Sequence, residues 1–337
     1  MALRFIDSFD HYSDLAQKWT AYNGSIVASG RNGTSAYRAQ NNTFSYARKV
    51  LDAQATWVVG FALNFGAIPT GTNYLVNLTD VGTSQVELRF ENNTGRLLVT
   101  RNGTQIGSTG TTVLKPNVWY YIEFKATINN STGVAVVRIN GVTEINLSSQ
   151  DTQTSGNATA DDIYFLSHND QQAGHWYMDD LYICDGTGGS PSNDFLGDVR
   201  VETIRPSGNG NSSQFVGSDG NSTDNYLLVD ETTPNDDTDY VESSTVNDKD
   251  TYAYGDLTPT AGTVFGVQVL PYARKTDAGT RTIKSVARLS GTEVDSADKT
   301  LSTSYQYLPD IREAKPGGGA WSISDVNSAE FGVKVTA

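Results

Sequence analysis

The stretch VWYYIEFKATINNSTGVAVVRINGVTEINL (118–147) decides the fold class. Its opening residues alternate, with Tyr120, Ile122, Phe124, Ala126 and Ile128 on one face and Trp119, Tyr121, Glu123, Lys125 and Thr127 on the other. Period two over this length predicts a β-strand with one dry face. NNSTG (129–133) then turns the chain into VAVVRI (134–139). Asn140-Gly141 suits the positive φ angles of a type I′ turn and sends the chain back as VTEINL. Three antiparallel strands therefore follow one another.

Outward from this core the same grammar repeats. QVELRF (85–90) buries Val86, Leu88 and Phe90, and RLLVTRNGTQIGST (96–109) folds about Asn102-Gly103. Glu87 and Glu91, with Arg89 between them, read as a solvated strand face. The 337 residues are 37% hydrophobic and only 18% charged, with 32 Gly, a balance of short strands and tight turns. This length accommodates two domains. GTGGSPSN (186–193) has nothing to bury and marks the boundary. The expected fold is all-β: two jelly-roll-like β-sandwiches, 1–187 and 194–337, joined by this Gly/Ser/Pro linker. Between about Ser207 and Asp250 a polar stretch is expected as surface loops around a short strand, NYLLVD (225–230).

Charge and cysteine use exclude whole classes of function. A net charge of −14 repels phosphate backbones, so nucleic acid is not an expected partner. The single cysteine, Cys184, permits no internal disulfide and no Cys-based zinc site, and reads as a small buried hydrophobe. No apolar run is long enough to cross a bilayer, and the N-terminal residues lack the apolar core of a signal peptide. Synthesis without a signal peptide and no membrane insertion are expected.

GHWYMDDLYICD (174–185) gathers His, paired Asp, aromatics and the only Cys. Read with period two it places Trp176, Met178, Asp180, Tyr182 and Cys184 on one side and Tyr177, Asp179, Leu181, Ile183 and Asp185 on the other. His175 and Asp179 would then stand roughly 13 Å apart, too far to share an ion directly. The stretch is a strand, not a closed metal cluster.

Met178-Asp179-Asp180-Leu181-Tyr182-Ile183 resembles the closing strand of concanavalin A-like jelly rolls of the laminin-G-like group. FIDSFDHY (5–12), the W-x-x-I-E-F strand at Trp119–Phe124 and the VAVVRINGVTEI hairpin stand in the order of that family. The resemblance covers about 1–187. It implies sugar binding by the concave sheet and rim loops, in some relatives through Ca²⁺. His168, Asn169, Asp170, His175 and Trp176 would offer hydrogen bonds and a stacking face. Trp119 and Tyr121 form a second candidate platform, with packing against another layer or a neighbouring subunit as the alternative. No acidic loop of calcium-binding spacing accompanies Asp179 and Asp180, which read as binders of turn backbone; no cofactor is expected, with Ca²⁺ held open.

DFLGDVRVETIRP (194–206) and AWSISDVNSAEFGVKV (320–335) are similar to C-terminal parts of tail and other virion proteins of tailed bacteriophages. That resemblance implies a virion component and, as partners, other virion proteins and copies of itself as a homo-oligomer. No catalytic apparatus is evident. The three histidines, His11, His168 and His175, suggest no triad, and there is no G-x-S-x-G elbow. EVDSAD (293–298) copies a two-carboxylate glucanase pattern through Glu293 and Asp295 but ends in Asp298. The expectation is a non-enzymatic virion structural protein, at a tail tip or in a fibre, recognising host-surface glycan. Capsid decoration without a ligand is one alternative, and a glycan-binding module or glycan hydrolase is another.

Overall fold

A computed structural model of the chain describes residues 2–39, 45–71, 73–168 and 174–337. It is built almost wholly of antiparallel strands and divides into two compact units, Met1–Val201 and Glu202–Ala337. The all-β expectation holds.

In the first unit the strands run β1 (Leu3–Asp7), β2 (Ala21–Val27), β3 (Ala36–Ala39), β4 (Ser45–Gln54), β5 (Thr56–Phe65), β6 (Asn73–Asp80) and β7 (Thr83–Phe90). They continue as β8 (Leu97–Arg101), β9 (Thr104–Ile106), β10 (Tyr120–Thr127), β11 (Gly133–Ile139), β12 (Val142–Gln150), β13 (Ala160–His168) and β14 (Trp176–Asp185). The ladder turns over at β2, whose first half, Ala21–Asn23, pairs with β4 and whose second, Gly24–Val27, pairs with β3. Sheet I is ordered β12-β11-β10-β5-β14-β3-β2 with β1 also on β14, and sheet II is ordered β2-β4-β13-β6-β7-β8-β9. Both Asn-Gly pairs make the expected turns, with φ of 42° and 80° at Asn102 and Gly103 and 49° and 78° at Asn140 and Gly141.

The sheets close on an aromatic core. Phe61 of sheet I meets Phe165 of sheet II edge-on at 5.8 Å, and Phe65 meets Phe90 at 5.0 Å. Trp57 Nε1 spans the gap to donate to the Ala160 carbonyl at 2.9 Å. The opening FIDSFDHY motif supplies the polar anchor. Fully buried Asp7 accepts from Tyr12 Oη at 2.6 Å, Trp19 Nε1 at 3.0 Å and Phe9 N at 3.0 Å, with Lys18 Nζ at 3.3 Å. A buried carboxylate is tolerated only with such a full set of donors.

Strict alternation fails in β14. Asp179 lies opposite Ala62 but Tyr182 lies opposite Gly60, so β14 carries one extra residue, and Asp180 takes a φ of 50°. This is a β-bulge. It reverses the faces downstream: Leu181 and Ile183 join Trp176 and Met178 on the core side, while Tyr182 and Cys184 join Tyr177 and Asp179 on the outer side. The expected partition of 174–185 is corrected accordingly.

The outer face of β10 also departs from the expectation of one dry side. Tyr121 is 1% and Glu123 0% exposed. Residues 194–201, which follow the Gly/Ser/Pro cluster, strap across this part of sheet I. Gly197 N donates to Glu123 Oε1 at 2.8 Å, Leu196 N to Tyr182 Oη at 3.2 Å, and Val201 N to Asp180 Oδ1 at 2.8 Å. Asp198 takes both Arg31 guanidinium nitrogens at 2.7 and 2.9 Å, and Asp194 meets Lys125 at 3.1 Å. Beneath the strap Tyr182 Oη donates to Glu123 at 2.6 Å, in a space that a Cβ at Gly60 would invade at 2.1 Å from the tyrosine ring.

In the second unit Pro206–Ser213, Lys249–Tyr254, Glu330–Val335, Thr282–Leu289 and Thr292–Asp295 lie side by side in one sheet, with Lys299–Thr300 also on Thr282–Leu289. Trp321, Phe331, Leu289 and Val326 pack its core, beside a short helix, α1 (Ile323–Ser328), closed by a Ser322–Asp325 capping box. The NYLL residues form a 3₁₀ turn, Asn225–Leu228, rather than the expected strand. The reason lies in Asn225, whose buried amide donates to the Phe215 carbonyl at 3.0 Å and to Asp250 at 2.6 Å. Asp250 also accepts from Phe215 N at 2.8 Å and Tyr252 Oη at 3.1 Å, which fastens the polar stretch to the sheet.

Candidate functional site

The outer face of sheet II brings polar and aromatic side chains from successive strands into one row. Arg48 (β4), Tyr164 (β13), Asn77 (β6), Glu87 (β7), Thr100 (β8) and Gln105 (β9) are direct cross-strand neighbours in that order. Residues directly opposite share a face, so the row is continuous. A second tier adds Tyr46, whose ring lies 5.6 Å from that of Tyr164, and the opposed pair Tyr74 and Arg89.

The charges on this face are unequally satisfied. Arg48 grips Asp162 with Nε at 2.9 Å and Nη2 at 2.5 Å while its guanidinium lies 5.5 Å from the Tyr164 ring centre. Glu87, expected to be solvated, is 1% exposed: it accepts from Ser84 Oγ, Thr100 Oγ1 and the Gly103 amide, pinning the Asn102-Gly103 hairpin. Arg89 differs. Its guanidinium lies over the Tyr74 ring at 4.9 Å, its Nε is buried without an acceptor, and among the described residues no hydrogen bond or ion pair reaches it. Arg4, Arg31 and Arg101, like Arg48, each meet an aspartate. Burial raises the pKa of the Tyr74 hydroxyl, with Glu87 adding to the rise and Arg89 opposing it. Burial raises Tyr164 as well, against the pull of Arg48. Both phenols therefore stand as neutral donors, and the face can bind a flat, oxygen-rich anion: rings to stack on, hydroxyls and the Asn77 amide to hydrogen-bond, and a guanidinium edge for a carboxylate.

The residues singled out from the sequence are scattered. Trp176 is 0% exposed and packs edge-on against Phe90 at 5.4 Å, so it is a core residue and not a stacking face. Tyr121 lies buried under the strap region, donating to the Asp180 carbonyl at 3.0 Å. Asn169 and Asp170 lie outside the described residues, as does the side chain of His168. Trp119 and His175 do come together on the outer face of sheet I, on Tyr177, whose ring centre is 6.5 Å from Trp119 and 5.2 Å from His175. Asp179 accepts from Arg31 N at 2.8 Å and Thr34 Oγ1 at 3.2 Å, the turn-binding role expected of it. In the second unit Glu293 pairs with Lys249 at 2.6 Å and Asp295 with Lys334 at 3.5 Å.

The sheet II row was missed because its members come from six strands and only register unites them. The local trace was the outward parity of Tyr46 with Arg48 and of Glu87 with Arg89.

No family model matches the chain, and no curated protein matches it. Among solved structures the chain is similar to the alginate lyase Aly36B, at 12% identity over 53% of this chain and 95% of that one, with a TM-score of 0.37. It is also similar to the cellulose-induced protein Cip1, at 11% identity over 53% and 96% with a TM-score of 0.42. A Trypanosoma rangeli sialidase shares 11% identity over 49% of this chain and 27% of its own, with a TM-score of 0.36. None is a virion protein. The expectation of a non-enzymatic virion protein is corrected on this point: the resembling structures are glycan-processing enzymes and a cellulose-induced protein, and both the virion role and the exclusion of catalysis are withdrawn.

Proposed function

We propose that the first unit is a glycan-recognising β-sandwich whose sheet II outer face holds an acidic saccharide. The observation that carries this reading is the Arg89 guanidinium, stacked on Tyr74 and met by no carboxylate among the described residues, in a chain of net charge −14. A desolvated guanidinium with one flat side on an aromatic ring presents its edge for bidentate contact with a carboxylate. Tyr164, Tyr46 and Asn77 line the path along which the sugar rings would lie.

Calorimetric titration with a polyuronate and with a neutral polysaccharide tests the reading. The polyuronate is expected to bind and the neutral polymer to bind at least tenfold more weakly. Arg89→Ala and Tyr164→Ala should each weaken polyuronate binding about tenfold, equivalent to about 1.4 kcal/mol. Equal binding of both polymers, or an Arg89→Ala protein that binds like the parent, overturns it.

A second reading rests on the neutral hydroxyl of Tyr74 beside that guanidinium, with Tyr164 further along the same face. In an elimination, a solvent base takes the hydrogen from the carbon beside the sugar carboxylate, a cation stabilises the charge that gathers there, and a carbon–carbon double bond forms as the glycosidic C–O bond breaks and a positioned phenol delivers a proton to the departing oxygen. Release of new chain ends from the polyuronate, lost in Tyr164→Phe and Tyr74→Phe, supports cleavage. An unchanged polymer length after prolonged incubation rejects it.

A further inference from the structure

Beyond the strap, sheet I carries a half-buried patch of polar and aromatic side chains. Ser25, Arg38, Tyr177 and Asn64 lie directly opposite one another across β2, β3, β14 and β5, so they share the outer face. Tyr177 sits between the Trp119 and His175 rings. Among the described residues no carboxylate meets Arg38, and no hydrogen bond reaches the Arg38 guanidinium, the Asn64 amide, the Tyr177 hydroxyl or the Trp119 indole N–H. Ser25 Oγ is buried there without a partner. Arg38 against Tyr177 repeats, on the opposite side of the sandwich, the cross-strand arrangement of Arg89 against Tyr74.

We propose that the first unit is bivalent, with a second acidic-saccharide site on the outer face of sheet I. There Trp119 and Tyr177 form the stacking shelf, Arg38 takes the sugar carboxylate, and Asn64 and His175 bond ring hydroxyls. The chemistry is that of a sugar carboxylate beside an apolar ring face, which an aromatic shelf and an unpaired guanidinium complement. Because sheets I and II pack face to face, their outer faces look in opposite directions, and one molecule joins two polysaccharide strands. Such joining multiplies weak single-site contacts into avidity. The ligand class is that proposed for sheet II, but the residues are separate, so the two readings fail separately.

Calorimetry with a short oligouronate decides the matter, with a sialylated oligosaccharide as a second arm and a neutral oligosaccharide as control. The proposal expects two sites per chain. Arg38→Ala and Trp119→Ala should each leave one site, Arg89→Ala should leave the other, and Arg38→Ala with Arg89→Ala should leave none. The milder Arg38→Lys, which keeps the charge but not the bidentate edge, should weaken the sheet I site about tenfold. The parent protein should also bridge immobilised polyuronate to a labelled second chain, and Arg38→Ala should not. One site that vanishes with Arg89 and ignores Arg38 overturns bivalency while leaving the sheet II reading standing. One site that vanishes with Arg38 and ignores Arg89 overturns the sheet II reading and bivalency together.

Discussion

Trp119 and Trp176 look alike as candidate stacking residues, yet one lies half-buried on an outer face and the other is sealed in the core. Alternation reveals that a strand has two faces and does not reveal what the rest of the chain lays upon them. Tyr121 shows this most sharply. Its outward parity was legible, but its burial comes from groups far along the chain, the Asp180 carbonyl and the strap region. Removing the Trp176 side chain should therefore act on stability: Trp176→Ala is expected to cost about 3–5 kcal/mol in urea unfolding. Folded Trp176→Ala protein should bind polyuronate as the parent does. A variant of undiminished stability that no longer binds would return Trp176 to the ligand.

The elements themselves were the most legible part, because their signals are local. Asn-Gly turns and period-two runs are complete within a few residues, and both predicted Asn-Gly hairpins formed. NYLL was misread because its short apolar run suits a strand, while the buried amide of Asn225 that makes it a turn answers to partners elsewhere in the fold. The β14 bulge was illegible for a related reason: two adjacent aspartates do not announce which of them is surplus. The bulge has a titration signature. Burial and the neighbouring Asp180 charge push Asp179 up to about 8 from an ordinary 3.8, although the amides of Asp180 and Arg31 oppose the rise. Burial pushes Asp180 to about 6 against the pull of Val201 N and Arg31. A carboxyl whose folded pKa is raised favours the folded state while protonated. Its contribution is full below the unfolded pKa and is lost as pH climbs through the folded one. Unfolding free energy should therefore fall by several kcal/mol between about pH 5 and about pH 8, at about 1.4 kcal/mol per pH unit for each carboxyl still protonated only in the fold. Asp179→Asn should flatten the upper part of that slope in urea titrations at stepped pH. A slope unchanged by the substitution would assign it to other groups.

At the scale of the molecule, the Gly/Ser/Pro cluster reads as an end, but the chain goes on supplying the first unit as far as Val201. A chain ending at residue 187 leaves Glu123 and Asp180 without the amides of Gly197 and Val201, whereas one ending at 201 keeps them. Stripping donors from buried carboxylates costs about 1–3 kcal/mol for each group. The shorter chain should melt well below the longer one in a thermal scan, and equal midpoints would show that the strap contributes nothing. The site was less legible than either fold or boundary, since sheet II assembles it from six strands and no single stretch contains more than a fragment. The strap has a further effect on sheet I. It brings amides to Glu123 and Asp180 and the carboxylates of Asp194 and Asp198 to Lys125 and Arg31, so a strip holding charges of both signs is matched group by group. With the strap lifted, Glu123 and Asp180 would lose their amides while Arg31 and Lys125 would lose their carboxylates, and charges of both signs would turn to solvent on that face. Eight residues of chain thus stand in for the water and counter-ions that such a strip would otherwise gather.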